Sequence, residues 1–460
     1  MLFSSSLFLY YFLPIVFLFY FVILPNNIKI RNYFLLLASL LFYAWGEPIF
    51  VFLMIISCFM NWAFGLAIDS RKRIKLTLAL MILFNLSIIF IFKYLNFTIV
   101  TLNEIFHTNF QSPNIIPPIG ISFFTFQAIS YVVDIYNGKG VAQKNPLNVA
   151  LYISLFPQLV AGPIVRYETI AKEIKNRNIL LNDFTYGVER FIIGLSKKIL
   201  LANNMGIIAD HIFSVEWEYL NLPLAWLGAI AYTFQIYFDF SGYSDMAIGL
   251  GRIFGFHFLE NFNYPYISKS ISEFWRRWHI SLGSWFRDYV YIPLGGSRAT
   301  KKRVYLNLFI VWLLTGLWHG ASWNYIFWGL FFFLLISFEK LISLEKRKIS
   351  SINYIYTYIF IIIGFIIFRT TSLANTWTYI SAMFTLRDIN PCPLFNAYIC
   401  EYWLWLIISL LFSFPYIPRL YIKHIYPIKI IHSIFLFILL FLSAMYLAKG
   451  SYNPFIYFNF

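Results

Sequence analysis

Long apolar runs recur along the chain, separated by short polar gaps. The runs lie near residues 7–24, 33–45, 49–68, 76–95, 322–343, 353–368, 402–417 and 429–448. Many of them approach the roughly 20 residues that an α-helix needs to cross a bilayer. A transmembrane β-barrel would alternate apolar and polar residues, and runs such as IYTYIFIIIGFIIF do not. The pattern predicts an all-α polytopic integral membrane protein with about eleven or twelve transmembrane or re-entrant helices.

The apolar pattern changes character along the chain, although no soluble stretch of domain length interrupts it. Segment 1–100 has uniformly apolar runs, which predicts scaffold helices. In segment 115–330, polar and helix-breaking residues lie inside apolar stretches, and a membrane tolerates broken helices only where protein or a water-filled cavity surrounds them. We expect the functional core there. Segment 353–460 returns to simple C-terminal helices, and the whole chain, 1–460, is predicted to form a single membrane domain.

Composition and charge point to a membrane rather than to nucleic acid. Only 12% of residues are charged and 60% are hydrophobic, whereas about a quarter of a soluble domain is charged. The net charge of +15 comes from basic gaps between the runs: Lys29 with Arg31, residues 71–75, and Lys139 with Lys144. The positive-inside rule makes these gaps cytoplasmic and the N-terminus extracytoplasmic. The first run has no basic leader, so we expect it to stay as a span rather than be removed as a signal peptide.

His319 differs from the other histidines because it lies inside the apolar run LLTGLWHGASWNYIFWG. Ionisable residues within membrane segments are costly and are usually functional or paired. Gly316 and Gly320 flank His319, and we expect them to leave room for a substrate to reach the ring. The alternative interpretation is a buried histidine that forms a hydrogen bond with a neighbouring helix.

His279 lies in SISEFWRRWHISLGSWFRDYVYIPLGGSR, where aromatic and basic residues are interleaved. The segment carries too much charge to span a membrane, and its spacing predicts an amphipathic helix at the cytoplasmic interface. Its arginines Arg276, Arg277 and Arg287 either anchor the segment to the membrane surface or bind the phosphates of an anionic ligand. Both roles can hold at once.

Gln235 and Asp239, in TFQIYFDFSGYSD, are four residues apart and share one helical face. A carboxylate in an apolar segment needs a partner or water. Two roles stay open: pairing with arginines of the region 276–298, or lining a substrate path. The three cysteines do not have the spacing of metal ligands, so neither a metal site nor a bound cofactor is predicted.

Five stretches in order resemble the membrane-bound O-acyltransferase family. They are PPIGISFFTFQAISYVVDIY, FPQLVAGPIVR, YFDFSGYSDMAIGLGRIFGF, NFNYPYISKSISEFWRRWHISLGSWFRDYVYIPLGG and TGLWHGASWNYIFWG. The similarity is to the bacterial branch that includes the alginate and peptidoglycan O-acetylation membrane proteins and the D-alanine exporter of teichoic acids. The resemblance implies a helical bundle around a central funnel, with the family's two histidines at His319 and His279.

The resemblance also implies an O-acyltransferase of the bacterial inner membrane. Such an enzyme takes an acyl group, here expected to be acetyl, from a cytoplasmic thioester such as acetyl-coenzyme A, whose phosphates the arginines would bind. The acyl group leaves on the outside for a cell-surface polysaccharide, with an extracytoplasmic acetyltransferase as the expected partner. Peptidoglycan is the favoured acceptor, and alginate or another exopolysaccharide is the alternative.

In an O-acyltransferase of this kind, His319 is expected to deprotonate a hydroxyl group or to carry the acyl group transiently. Asn324 or His279 would orient it or stabilise the oxyanion. Two functions in which the protein catalyses no acyl transfer stay as alternatives. One is a transporter or flippase, in which the histidine relays protons, and the other is a membrane scaffold for a secreted transferase.

Overall fold

The computed structural model describes residues 1–346, 350–386, 390–450 and 452–456, and within these ranges the regular structure is helical, with no β-strand. Within the described part of the chain, seven helices are long and apolar enough to cross a membrane: Phe50–Asp69, Ile74–Phe106, Leu181–Phe213, Trp323–Leu341, Ser351–Arg369, Pro393–Phe412 and Lys429–Ala448. Shorter apolar helices occupy Phe8–Ile23 and Ile121–Tyr136. The predicted all-α polytopic architecture is confirmed. The total of eleven or twelve helices and the central funnel stay predictions.

The chain divides into two compact units. Unit 1 comprises Met1–Phe191 and Ser244–Leu259. Its helices are α1 (Phe8–Ile23), α2 (Ile28–Ala44), α3 (Phe50–Asp69), α4 (Ile74–Phe106), α5 (Ile121–Tyr136), α6 (Pro146–Ser154), α7 (Phe156–Leu159), α8 (Tyr167–Lys175) and parts of α9 (Leu181–Phe213) and α10 (Leu222–Ile253). The predicted single domain 1–460 and its three segments stay predictions.

Unit 2 comprises Ile192–Tyr243 and Glu260–Phe460. Besides the remainder of α9 and α10, its helices are α11 (Ile271–Arg277), α12 (Ile280–Phe286), α13 (Lys301–His319), α14 (Trp323–Leu341), α15 (Ser351–Arg369), α16 (Leu373–Phe384), α17 (Pro393–Phe412), α18 (Tyr416–His424) and α19 (Lys429–Ala448). Residues 387–389, 451 and 457–460 of the predicted C-terminal segment lie outside the described ranges.

Buried amides and small residues pack the helices of unit 1. Asn61 of α3 and Asn85 of α4 exchange two side-chain hydrogen bonds, at 3.1 and 2.8 Å. Such pairs satisfy polar groups that have no access to water in a membrane. Gly65 lets α3 approach α5 closely, because a Cβ atom there would lie 2.6 Å from the ring of Tyr131.

Helices α13 and α14 pack closely against each other as a hairpin in unit 2. A Cβ atom on Gly316 would clash with the backbone carbonyl of Tyr325, and one on Gly329 with the carbonyl of Trp312. A Cβ atom on Gly320 would clash with the Tyr325 ring. The expectation that Gly316 and Gly320 leave room for a substrate is therefore wrong, because α14 occupies that space.

Candidate active site

His319 is the last residue of α13, and its imidazole lies among three aromatic rings. The helix ends there because Gly320 is extended, with φ −177° and ψ 163°. The side chain is buried, and its ring makes edge contacts with Trp318, Trp328 and Phe368 at centroid distances of 5.0, 4.9 and 5.0 Å. Aromatic contacts of this geometry each contribute about 0.5–1.5 kcal/mol. Together they hold the imidazole in one orientation.

His279 lies between α11 and α12 in a left-handed backbone conformation, with φ 45° and ψ 52°. Residues other than glycine are uncommon there, although histidine is enriched among them. The ring is buried and packs edge-on against Phe240, with the centroids 4.6 Å apart. The backbone turn therefore directs His279 into unit 2 rather than along a helix face.

The prediction of one amphipathic helix over this segment is wrong, because the backbone turns at His279. Two short helices form instead, because tertiary aromatic packing overrides the helical period. Trp275 packs against Trp328 at 5.3 Å and Trp278 packs against Phe262 at 5.0 Å, measured between ring centroids. These tryptophans pack in the aromatic core of unit 2 rather than on the apolar face of an interfacial helix.

Asn261 sets the tautomer of His279. Its Oδ1 accepts hydrogen bonds from the backbone N–H of Ser281 at 3.1 Å and from the Ser281 hydroxyl at 2.9 Å. A backbone N–H can only donate, so the amide atom at this position is the oxygen. Nδ1 of His279 lies 3.3 Å from the same oxygen and therefore carries the proton, which leaves the lone pair on Nε2. Burial also lowers the pKa of His279 to about 3, so the ring is neutral at physiological pH.

Trp318 contacts both histidines. Its ring centroid lies 5.8 Å from that of His279 and 5.0 Å from that of His319. Two imidazoles that are far apart in sequence thus share one indole neighbour, and all three residues belong to unit 2. The structure brings the two predicted histidines together, and their catalytic roles stay predictions.

Glu339 of α14 holds the start of α11, the helix that precedes His279. Its two carboxylate oxygens accept hydrogen bonds from the backbone N–H groups of Ile271 and Ser272 at 2.5 and 2.9 Å, and from the Ser272 hydroxyl at 2.6 Å. A carboxylate is favourable at a helix N-terminus because the N–H groups there lack helical partners. The sequence reasoning missed Glu339, although an acidic residue inside the run 322–343 was a usable signal. It also missed Asn261, which lies in a polar loop without such a signal.

The three predicted arginines all pair with carboxylates: Arg276 with Glu345 at 2.7 Å, Arg277 with Glu273 at 2.9 Å and Arg287 with Asp288 at 2.6 Å. The side chains of Arg276 and Arg287 are 62% and 61% exposed. The carboxylate of Glu345 is also exposed, and exposed ion pairs contribute little stability, so Arg276 can exchange its carboxylate for a phosphate at low cost. Asp288, the partner of Arg287, is only 13% exposed. Arg277 also donates to the carbonyl of Asn263 at 3.2 Å. Donor binding by the three arginines stays a prediction.

Asp239 pairs with Lys198 of α9 rather than with an arginine of the region 276–298, so that expectation is wrong. The Nζ to Oδ1 distance is 2.8 Å, and both side chains are 2% exposed. Packing of α9 against α10 decides this partner, which helical spacing alone does not indicate. Gln235, one turn earlier, faces Gly206 of α9, so the predicted shared face of Gln235 and Asp239 is confirmed. The buried ion pair favours the structural role.

Asn324, near the start of α14, connects this helix to the end of α15. Its Nδ2 donates to the carbonyl of Thr370 at 2.8 Å and to that of Ile367 at 3.3 Å. These contacts give the amide a structural role, and the expected support of His319 stays a prediction. Among the described residues, no group of three histidine, cysteine or acidic side chains is placed to hold a metal ion.

The stretch that contains both histidines, Trp318 and Asn261 also decides the family. Residues 141–385 match the model of the membrane-bound O-acyltransferase family. The chain belongs to this family. It is therefore an integral membrane acyltransferase, as its motifs predicted, and the polytopic helical fold agrees with that assignment.

Named relatives extend over most of the chain. The probable alginate O-acetylase AlgI of Pseudomonas aeruginosa is 41% identical over 409 residues, which cover 86% of this chain and 78% of the relative. The peptidoglycan O-acetyltransferase of Helicobacter pylori is 35% identical over 433 residues, covering 86% and 82%. The teichoic acid D-alanyltransferase of Bacillus subtilis is 32% identical over 277 residues, covering 55% and 69%. These matches favour the acyltransferase prediction over the transporter and scaffold alternatives.

Proposed function

We propose that this enzyme moves an acetyl group from acetyl-coenzyme A, bound from the cytoplasm, across the membrane for O-acetylation of a cell-surface polysaccharide. The observation that carries the proposal is the pair of buried imidazoles against Trp318, within the residues that match the family. The names of the relatives support an acetyl group and a polysaccharide acceptor, since they refer to O-acetylation of alginate and of peptidoglycan.

The proposed reaction at His319 is general-base catalysis. The neutral imidazole removes the proton of an attacking hydroxyl group, whose oxygen bonds to the carbonyl carbon of the thioester. The C–S bond then breaks, and the thiolate leaves and takes up the proton, so that one ester and one free thiol result. General-base catalysis typically contributes 10² to 10⁴-fold. The alternative route forms an acyl-imidazole at His319, which a hydroxyl group then attacks.

His279 has the supporting role in this proposal. Its Nε2 lone pair, fixed by Asn261, can accept a hydrogen bond and orient a reacting group beside Trp318. Glu339 positions α11, which leads into His279, and the Lys198–Asp239 pair holds α9 against α10 within unit 2. Asn324 acts by joining the start of α14 to the end of α15 through a hydrogen bond. We assign these last residues to positioning rather than to contact with the acyl group.

The exposed arginines Arg276 and Arg287 are the proposed binding groups for the phosphates of the acyl donor. A guanidinium group binds phosphate oxygens through two parallel hydrogen bonds, and both guanidinium groups are exposed, Arg276 beside the exposed Glu345 and Arg287 beside Asp288. They also fit a membrane-surface anchor, and the two roles are compatible. Arg277 supports them by fixing α11 to the preceding loop.

The proposed location is the bacterial inner membrane, with the N-terminus extracytoplasmic and the basic segments 71–75, 139–144 and 276–303 in the cytoplasm. Their excess of lysine and arginine supports this orientation. Segment 115–330 carries both histidines and is the proposed catalytic core between the scaffold segment 1–100 and the C-terminal segment 353–460. An extracytoplasmic acetyltransferase is the proposed partner that receives the acetyl group.

Release of free thiol from labelled acetyl-coenzyme A by the purified enzyme in lipid nanodiscs tests the proposal. Thiol release above background is expected for the wild-type protein and for His424→Ala, an exposed histidine that serves as the control. His319→Ala should give only background. If wild-type protein neither hydrolyses nor exchanges the acetyl group, the proposed function fails.

The acceptor has two candidates. Peptidoglycan is favoured because nearly every bacterium makes it. The higher identity to the alginate O-acetylases, 41% against 35% for the peptidoglycan enzyme, favours an exopolysaccharide as the second candidate. Ester-linked acetate measured separately in the purified cell wall and in the exported polysaccharide of a deletion strain distinguishes them, because only the true acceptor loses acetate.

A further inference from the structure

A cavity of about 530 Å³ in unit 1 has two arginines in its wall. Residues that precede or begin α2, including Asn26 and Arg31, form one side. The loop between α8 and α9, including Arg177 and Asn178, forms another. None of the residues that line the cavity is acidic. Its wall is therefore positively charged.

Arg177 is a buried cation whose hydrogen-bond partners are all neutral. Its side chain donates to Oδ1 of Asn32 at 2.6 Å and to the hydroxyl of Tyr20 at 2.9 Å, and its guanidinium group stacks on Phe256 at 4.5 Å. A third bond goes to the backbone carbonyl of Glu173. The residue is 8% exposed, and its Nε is buried without an acceptor. A buried charge is costly unless an anion compensates it.

Two more donors face the same cavity. Arg31 lies over the Tyr20 ring, with 5.1 Å from its guanidinium carbon to the ring centroid, and its Nε is also buried without an acceptor. Tyr20 accepts the bond from Arg177, so its hydroxyl hydrogen can be donated elsewhere. Two guanidinium groups and one hydroxyl thus line a single cavity that contains no carboxylate.

We propose that this cavity binds the phosphate headgroup of an anionic membrane lipid. Paired guanidinium groups match the oxygens of a phosphate, and basic pockets between helices on the cytoplasmic side are suited to lipid headgroups. The apolar part of the wall favours a lipid over a free phosphate, because Leu180 and Leu181 are 61% and 79% exposed beside the arginines. They offer a surface for the acyl chains. The proposal does not depend on the acyl-transfer chemistry.

Lipid retention by the full-length protein tests the site. Wild-type protein is placed in nanodiscs of phosphatidylcholine with or without phosphatidylglycerol of the same chains, and retained lipid is counted by native mass spectrometry. Arg31→Gln and Arg177→Gln should each retain phosphatidylglycerol about tenfold more weakly, as the loss of a charge-assisted hydrogen bond predicts. Arg419→Gln, which removes an exposed arginine elsewhere, should match the wild type.

A second measurement separates binding from folding. Phosphatidylglycerol should raise the unfolding temperature of the wild type and of Arg419→Gln but not that of Arg31→Gln, which carries the test if Arg177→Gln fails to fold. Equal retention and equal stabilisation in wild type and Arg31→Gln would overturn the proposal. Displacement of the lipid by millimolar inorganic phosphate would also overturn it, since the site would then recognise a free phosphate group.

Discussion

Nδ1 of His279 lies 3.3 Å from Oδ1 of Asn261. Because the backbone N–H of Ser281 donates to the same oxygen, the contact makes Nδ1 the protonated nitrogen and Nε2 the basic one. A residue in a polar loop thereby determines which atom of a buried histidine can accept a proton.

Replacing Asn261 tests this relationship. Asn261→Leu removes the acceptor, and we expect acetyl transfer to fall by roughly tenfold or more, because the ring loses its fixed tautomer. Asn261→Asp keeps an acceptor and adds a charge that raises the pKa of His279. That variant should retain activity at pH 8 and lose it toward pH 5. Thiol release measured from pH 5 to 9 distinguishes these outcomes, and wild-type rates in Asn261→Leu would contradict the assignment.

The pKa of His279 predicts a pH-dependent stability. The folded protein keeps the ring neutral down to about pH 3, whereas the unfolded chain takes up the proton near pH 6.5. The unfolded state therefore binds more protons between these values, and stability falls as the pH drops from 6.5 toward 3. The loss between pH 6.5 and 5 amounts to about 2 kcal/mol.

Thermal unfolding of wild type and His279→Asn over this range checks the sign. The stability of the wild type relative to the variant should decrease as the pH falls. His424→Asn, at an exposed histidine, should show no such trend. If the difference in stability between wild type and His279→Asn does not change with pH, the buried ring is not held neutral.

The Lys198–Asp239 pair predicts a non-additive pattern of stability. Removing one partner of a buried ion pair leaves an uncompensated charge and typically costs about 3–5 kcal/mol, whereas replacing both by apolar residues is often neutral. Lys198→Met and Asp239→Leu should each lower the unfolding temperature markedly, and the double variant should recover most of the loss. Additive losses in the double variant would mean that the pair does not stabilise unit 2 in this way.

Charge reversal at Arg276 and Arg287 tests the donor surface. Arg276→Glu and Arg287→Glu should raise the KM for acetyl-coenzyme A several-fold with normal protein abundance, because a negative side chain repels phosphate. The effect should shrink at high salt, since exposed charges are screened. Arg419→Glu is the matched exposed control. If only membrane insertion suffers and the KM is unchanged, the arginines are anchors alone.

The sequence indicates the helical membrane fold well because bilayer spans leave a direct record in apolar runs. His319 also stands out in the sequence, since an ionisable ring inside an apolar run is costly, whereas His279 lies in a charged segment and its expected role came from the family resemblance. Contacts between side chains that are distant in sequence leave no comparable pattern in the sequence. The spacing of Gln235 and Asp239 indicates a shared face, but only the packing of α9 against α10 identifies Lys198 as the partner.

The break at His279 shows a second limit of sequence reasoning. The spacing around Trp275 and Trp278 suits one amphipathic helix, yet both indoles pack into the core of unit 2 and the backbone turns at His279. Helical periodicity assumes an uninterrupted helix, so it misses a turn imposed by tertiary contacts. Asn261, which fixes the ring, lies in a loop that periodicity does not describe.

The central claim is that His319 performs the acyl transfer, and one measurement tests it most directly. The measured quantity is the ester-linked acetate that can be released from purified cell wall and from exported polysaccharide. The cells make the His319→Ala protein at normal abundance. We predict that acetate is abolished in the acceptor polymer, strongly reduced with His279→Ala and unchanged with His424→Ala, because alanine still packs but cannot exchange a proton. Wild-type acetate with His319→Ala would contradict the account and remove His319 from the chemistry.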